Sequence, residues 1–227
     1  MKDPYILENG TLRNKLNITD YDELNKAEAD IGFVKLIDID GVDFSRFDAD
    51  LFKQIHNHIF EDIFEWAGEY RTVPIYKEEV VIPGLSLNYA PYNEIDKQLK
   101  ERLDDLNSIK WNEKNCDEKA KLFARKMALI WKIHPFRDGN TRTTLSYSYL
   151  FAKEHGFEFD INTLLSGLSR EYDENGRITK FSLRDKFVLA SLDDNNYPEP
   201  EHLAKVFKLA ILERQRQEKN DAEIDIN

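Results

Sequence analysis

Apolar residues recur at helical spacing along most of this chain, and the residues that break helices are scarce, with 9 glycines and 7 prolines among 227 positions. A chain so punctuated buries its apolar stripes by packing helix on helix, so a mainly α fold is expected. Thr19 and Asp20, followed by Tyr21, Asp22 and Glu23, read as an N-cap with an acidic first turn. Leu24, Ala27, Ile31 and Val34 then carry a helix over 20–38. A second stripe runs through Phe52, Ile55, Ile59, Ile63 and Phe64 and should stop near Ala67, where Gly68 supplies a left-handed end. Helical spacing returns over 93–107 through Ile95, Leu99, Leu103 and Leu106, and from Asp117 through Ala120, Phe123, Met127, Ile130 and Trp131. Leu145, Tyr149 and Ala152 continue a helix that Gly156 ends, and further helices are expected at 183–192 and 200–218. Between 70 and 92 the pattern changes: Thr72, Val73, Ile75, Val80, Val81 and Ile82 are β-branched, and Pro83-Gly84 signals a turn. That stretch reads as a β-hairpin or extended flap.

At 41% hydrophobic residues the chain can bury one sizeable core. The expected division is an N-terminal helical segment over 1–40 packing on the core, a core over 41–195, and a C-terminal helix with a charged tail over 196–227. The last residues, from Glu213 on, carry few apolar anchors and should fray. With 43 acidic against 32 basic residues the net charge is -11, which argues against broad binding to nucleic acid or to an anionic membrane. Cys116 is the one cysteine, so no intrachain disulfide can form, and it reads as a small packing side chain. No apolar run resembles a signal peptide or a membrane span, so a cytoplasmic protein is expected.

One nonapeptide, His134 to Arg142 (HPFRDGNTR), concentrates chemistry. Because a residue before proline is driven out of the α region, the preceding helix should stop at Ile133 with His134 at its end. Phe136 can anchor in the core, while Arg137, Asp138, Gly139 and Asn140 make a tight polar turn before the next helix. The first turn of that helix presents unpaired backbone N–H groups and the positive end of the helix dipole, which together hold phosphate. Arg142 adds a guanidinium suited to phosphate oxygens. Asp138 is one hard carboxylate of the kind that Mg²⁺ shares with nucleotide phosphates. His134 is a candidate general base. The set suits in-line transfer of a phosphoryl or nucleotidyl group.

The nonapeptide resembles the signature of the Fic family, H-P-F-x-D/E-G-N-G-R, departing only at Thr141 with Arg137 at the free position. Similarity extends over roughly residues 3–155, through DPYILENGTLRNKLNITDYDELNKAE, IFEWAGEYRTVPI and the helix before His134. The resemblance implies an all-α, Fic-like core with a β-hairpin flap near the active site. It also implies Mg²⁺-dependent transfer of AMP from ATP to a Tyr, Thr or Ser hydroxyl of a target protein. Carried over residue by residue, His134 would deprotonate the hydroxyl and Asp138 would hold Mg²⁺. Gly139, Asn140, Thr141 and Arg142 would bind the nucleotide phosphates, and Thr72, Val73, Pro74 and Ile75 of the flap would dock the target. A cytoplasmic enzyme, or one delivered to another cell as an effector, fits this picture.

Two positions depart from the family's pattern. Thr141 stands where AMP-transferring members have glycine, which keeps open phosphoryl transfer of the death-on-curing toxin kind, or a catalytically weak nucleotide-binding relative. Leu145 stands where many members carry a further arginine, the residue that an inhibitory glutamate engages. That glutamate comes from a separate antitoxin or from a helix of pattern S/T-x-x-x-E-G/N, and no such segment is found here. Arg125, Lys132 and Arg137 are the candidate substitutes for the lost cation. His56 and His58 lie two apart on different sides of a helix and read as core or surface residues rather than metal ligands. Arg71 reads as a packing or solvated residue with a phosphate role as the alternative, and Trp66, Trp111 and Trp131 read as core.

Overall fold

A computed structural model describes residues 3–192 and 200–224. The fold is mainly helical. Helix α1 spans Tyr21–Ile37, α2 Ala49–Phe60, α3 Ile95–Asn107, α4 Cys116–Ile133 and α5 Asn140–Glu154. After them come the short α6 (Ile161–Leu165), an antiparallel pair β1 (Glu171–Tyr172) and β2 (Ile178–Lys180), α7 (Leu183–Ala190) and α8 (Glu201–Ile224). Helices α1, α2 and α4 begin on side-chain caps that engage otherwise unpaired first-turn amides. Asp20 accepts from Glu23 and Asp48 from Asp50 and Leu51, while Asn115 with Glu118 forms a complete capping box.

Helix α4 is the centre of the packing, with α3, α5, α7 and α8 against it, and α2 lies on α5. Wrapped this way, α5 buries every residue from Thr143 to Ala152. Its polar members are accommodated locally in part: Thr143 Oγ1 donates to the Gly139 carbonyl at 3.1 Å and Ser148 Oγ to that of Thr144 at 2.7 Å. Leu145 is 1% exposed and belongs to this core.

Several boundaries differ from expectation. Helix α2 stops at Phe60 rather than near Ala67, and successive turns lead to Gly68. Gly68 does take a positive φ of 81°, but as the residue whose amide donates to His56 Nδ1 at 2.8 Å, not as the end of the helix. The inner face of α1 is Leu24, Glu28, Gly32 and Leu36, whereas Val34 is 64% exposed. A carboxylate and a glycine replace part of the anticipated apolar stripe because α1 covers a charged site. Helix α8 runs on to Ile224, held by Arg214 to Glu158 at 3.0 Å and Gln217 to Asp160 at 3.1 Å, so the expected fraying from Glu213 does not occur there. The anticipated boundary at 195/196 and residues 225–227 lie outside the described residues.

The segment 70–91 forms the flap, placed over the helix ends as expected, but its arms carry no strand ladder; the paired strands are β1 and β2. Its turn closes through Glu79 N to Leu85 O at 3.4 Å and Leu85 N to Ile82 O at 3.0 Å. Pro74 and Pro83 remove two donors, and other backbone groups of the arms are engaged elsewhere. What fixes the arms is Arg71, buried at 2% exposure. Its Nε donates to His134 O at 2.8 Å, Nη1 to Val73 O at 2.9 Å, and Nη2 to Ala90 O at 2.5 Å and Ile133 O at 3.4 Å. The Arg71 amide adds a bond to Pro135 O at 2.9 Å. One guanidinium thus ties both arms of the flap to the carbonyl end of α4, and burial lowers its pKa to about 10.

Truncating Arg71 would strand buried carbonyls from three segments at once. Arg71→Ala should lower the unfolding free energy by on the order of 3–5 kcal/mol, read as a shift in the urea midpoint. A shift no larger than that of an exposed arginine such as Arg216→Ala would count against this role.

Candidate active site

The nonapeptide folds as a loop, His134 to Gly139, that runs into the first turn of α5 at Asn140 to Arg142. His134 caps α4 in the left-handed region (φ 53°, ψ 60°), a conformation uncommon for a residue with a side chain. Pro135 denies it the right-handed helix, and two backbone bonds hold it: its amide donates to Trp131 O at 3.0 Å and its carbonyl accepts from Arg71. The imidazole lies between the Trp131 ring, edge-on at 4.9 Å, and the Tyr89 ring of the flap at 4.3 Å, and is fully buried. Nδ1 faces Trp131 O at 3.4 Å, and a carbonyl only accepts, so Nδ1 carries the proton. Nε2 is left bare and without a hydrogen-bond partner. Burial, and then the charges of Lys77 and Arg184, hold this imidazole well below the usual 6.5. It is a neutral base.

The turn that follows is built on α2. His56 Nε2 donates to the Asp138 carbonyl at 3.2 Å, since Nδ1 already accepts from Gly68, and the ring stacks on Phe136 at 3.8 Å. Burial pushes His56 down to about 3, so it too stays neutral. Phe136 is fully buried, the anchor expected of it. Gly139 has φ +75°, and a Cβ there would sit 2.2 Å from Phe60 Cε2. Glycine is therefore required at 139 by the ring beneath the loop, independently of any ligand.

Asp138 keeps a partly exposed carboxylate, at 37% of its side-chain surface. Burial would raise its pKa, but Lys77, Arg142 and the Gly139 amide outweigh that and hold it well below the usual range. Lys77, reaching in from the flap, lies 3.4 Å from Asp138 Oδ1. Arg142 spreads over the Phe60 ring, 4.6 Å from its centroid, and pairs with the buried carboxylate of Glu28 on α1. Gly32 makes room, since a Cβ there would stand 3.0 Å from Arg142 Nη1. Burial pushes the Glu28 carboxyl up and Arg142 holds it back.

The side chains of Asn140 and Thr141 are both engaged within the protein. Asn140 accepts from Phe136 N and donates to Phe136 O, both at 2.9 Å, so its amide closes the loop and only its backbone N–H faces the helix start. Thr141 Oγ1 accepts from Trp131 Nε1 at 3.0 Å, which satisfies a buried indole and ties the hydroxyl to α4. Arg137 is held by Asp3 at 2.9 Å, and Arg125 lines a separate hollow with Pro200 and Glu201, so neither replaces the cation lost at 145.

Asp138, Gly139, Asn140, Thr141 and Arg142 line a cavity of ≈ 570 Å³ whose other walls are α1, the segment 165–169 and Arg184. Phe33, Leu36, Leu165 and Leu168 make part of it apolar. The volume suits a mononucleotide-sized ligand. His134 does not line this cavity; its Nε2 is buried, with the Tyr89 ring against the imidazole. Of the flap residues, Val73 is buried and its carbonyl is held by Arg71, while Thr72 N is bonded to Tyr5 OH at 3.1 Å. Pro74 is exposed and Ile75 half-buried. Lys77, Glu28, Arg184 and His56 are site residues that sequence reasoning missed. The polar residues on the presumed inner face of α1 were the available signal for Glu28. Among the described residues no cluster of three metal-ligating side chains occurs, and no helix is long and apolar enough to cross a membrane.

A sequence model of the Fic/DOC family matches residues 46–152. The chain is 32% identical to the protein adenylyltransferase VbhT of Bartonella schoenbuchensis over 70% of its own length, and spans about a third (32%) of that relative. It is 30% identical to the probable protein adenylyltransferase y4lH of Sinorhizobium fredii, covering 67% of this chain and 76% of that one. Among solved structures, the N-terminal FIC domain of Bep8 from Bartonella sp. 1-1C superposes with a TM-score of 0.69 at 21% identity, over 90% of this chain and 92% of that one. BepC from Bartonella tribocorum, solved with bound AMPPNP, also gives 0.69 at 20% identity, over 91% and 95%.

Two outcomes test this geometry. His56 and His134 stay neutral when folded but bind a proton when unfolded below about 6.5, so stability is lost as pH falls from there, toward about 3 for His56. Each contributes up to about 1.4 kcal/mol per pH unit, and His134→Ala should flatten the slope of unfolding free energy between pH 6 and 5 by about that much. An unchanged slope would contradict the buried neutral imidazole. Gly139→Ala should cost more than about 2 kcal/mol, and combining it with Phe60→Ala should cost less than the sum of the two.

Proposed function

Because this chain belongs to the Fic/DOC family, we propose that it transfers AMP from ATP to a hydroxyl of a target protein. The observation that carries the reading is one assembly: a bare, neutral His134 Nε2 at the head of the loop whose ionised Asp138, Arg142 and α5 N-terminus line a nucleotide-sized cavity. The acceptor oxygen attacks the α-phosphorus as its proton passes to His134 Nε2. The bond from that phosphorus to the bridging oxygen breaks, and pyrophosphate leaves. Backbone N–H groups of Asn140, Thr141 and Arg142, with the Arg142 guanidinium, stabilise the charge on the phosphates. The apolar walls at Phe33, Leu36, Leu165 and Leu168 suit a purine base.

Asp138 fits a role in holding Mg²⁺, being ionised, partly exposed and on the cavity wall, and Mg²⁺ is commonly held by one or two carboxylates plus substrate phosphates. Bound there, the ion would neutralise phosphate charge, and Lys77 would have to give way. The target would lie along the flap. The amides of Ile75 and Tyr76 have no hydrogen-bond partner among the described residues, which supports main-chain docking of an extended segment. Leu145 is core, so a separate inhibitory antitoxin would find no cation at that position. The likeness to Bep8, which is a VirB-translocated effector protein of Bartonella, supports a protein made in the cytoplasm and delivered to another cell.

With ATP labelled in the α-phosphate, Mg²⁺ and a lysate, protein bands should become labelled, and His134→Ala should lower the rate by about 10²-fold or more. Labelling from the γ-phosphate alone would replace this reading with phosphoryl transfer.

A further inference from the structure

We propose that Arg184, on α7, is the second phosphate-binding cation of the cavity, that it takes the terminal phosphates of a nucleoside triphosphate, and that Glu79 of the flap holds its place when no nucleotide is bound. The proposal rests on the nucleotide reading of the cavity.

Arg142 and Arg184 are the two cationic side chains on the cavity wall among the described residues. Helix α5 offers no second one, because Leu145, a turn beyond Arg142, is buried in the core. Arg184 comes from the opposite wall, and its position is well supported. Ser182 and Asp185 form a capping box at the start of α7, and Arg170 grips Asp185 with two bonds of 2.7 Å. Helix α7 packs on α4, and the Arg184 guanidinium lies 5.8 Å from the Trp131 ring centroid. A cation so placed is already oriented for an anion. Its charge reaches the site, helping to lower the pKa values of Asp138, His134 and Lys77.

The guanidinium is only partly occupied. Nη2 donates to Glu79 Oε1 at 2.6 Å, and the guanidinium also acts on the neighbouring Tyr89 hydroxyl, yet part of it still faces solvent. The Arg184 side chain is 28% exposed, whereas Glu79 is 1% exposed. Glu79 also accepts from Tyr89 OH at 2.6 Å, and Tyr89 is the ring that covers His134. A polyphosphate presents the same chemistry as the glutamate, several anionic oxygens for one planar donor fork. Anion and glutamate therefore compete for Arg184, and whatever strengthens the flap contact weakens triphosphate binding by the same factor.

The test is calorimetric titration of the full chain with ATP and with AMP in Mg²⁺ buffer. In Arg184→Ala, ATP affinity should fall at least tenfold while AMP affinity changes less than twofold, which also shows that the variant folds. In Glu79→Gln, which keeps the hydrogen bonds but removes the charge, ATP affinity should rise severalfold. Equal losses for ATP and AMP in Arg184→Ala, or ATP binding indifferent to both substitutions, would overturn the proposal while leaving the nucleotide reading intact. A wild-type chain that binds neither nucleotide would overturn both.

Discussion

The buried guanidinium of Arg71 is the contact on which the rest of the site depends. It gathers carbonyls from the end of α4 and from both arms of the flap around one charge. A helix end leaves its last carbonyls unpaired, and a flap without a strand ladder leaves its own; a single planar donor set satisfies both. The consequence is functional. With His134 O held, the left-handed turn at His134 is fixed, and so is the direction of its imidazole. With Ala90 O held, Tyr89 is brought over that imidazole. The imidazole is thereby kept neutral and buried beneath the flap.

A second set of contacts shapes the loop from below. His56, Phe60 and Phe136 form an aromatic floor on which Asp138 and Gly139 lie, so the carboxylate and the start of α5 are aimed by packing rather than by ligand. The charges above the floor are all paired within the chain: Asp138 with Lys77, Arg142 with Glu28, and Arg184 with Glu79. A net charge of -11 is compatible with the proposed anionic substrate because Arg142 and Arg184 stand on the wall of one cavity, at short range, where screening is weak.

Much of this was legible beforehand. The stop of α4 at Ile133 followed from Pro135, the buried anchor from Phe136, and the start of α5 from the polar turn before it. Other features were hidden because they rest on contacts distant in sequence. Glu28 sits 114 residues from Arg142 and Glu79 105 from Arg184, and no spacing rule connects them. The two departures from the family signature illustrate the same limit. Thr141 is absorbed by a bond to Trp131, and Leu145 by the core, outcomes that depend on what lies opposite each residue.

The sequence by itself determined the helical fold, the place where α4 breaks, and the residue types that converge at the break, because periodicity and proline act locally. Tertiary structure alone decided which charges face one another, which side chains of the loop are engaged within the protein, and that the His134 imidazole lies covered. Those are properties of packing, where a proton or an ion pair takes its energy from neighbours that the chain brings together only when it folds.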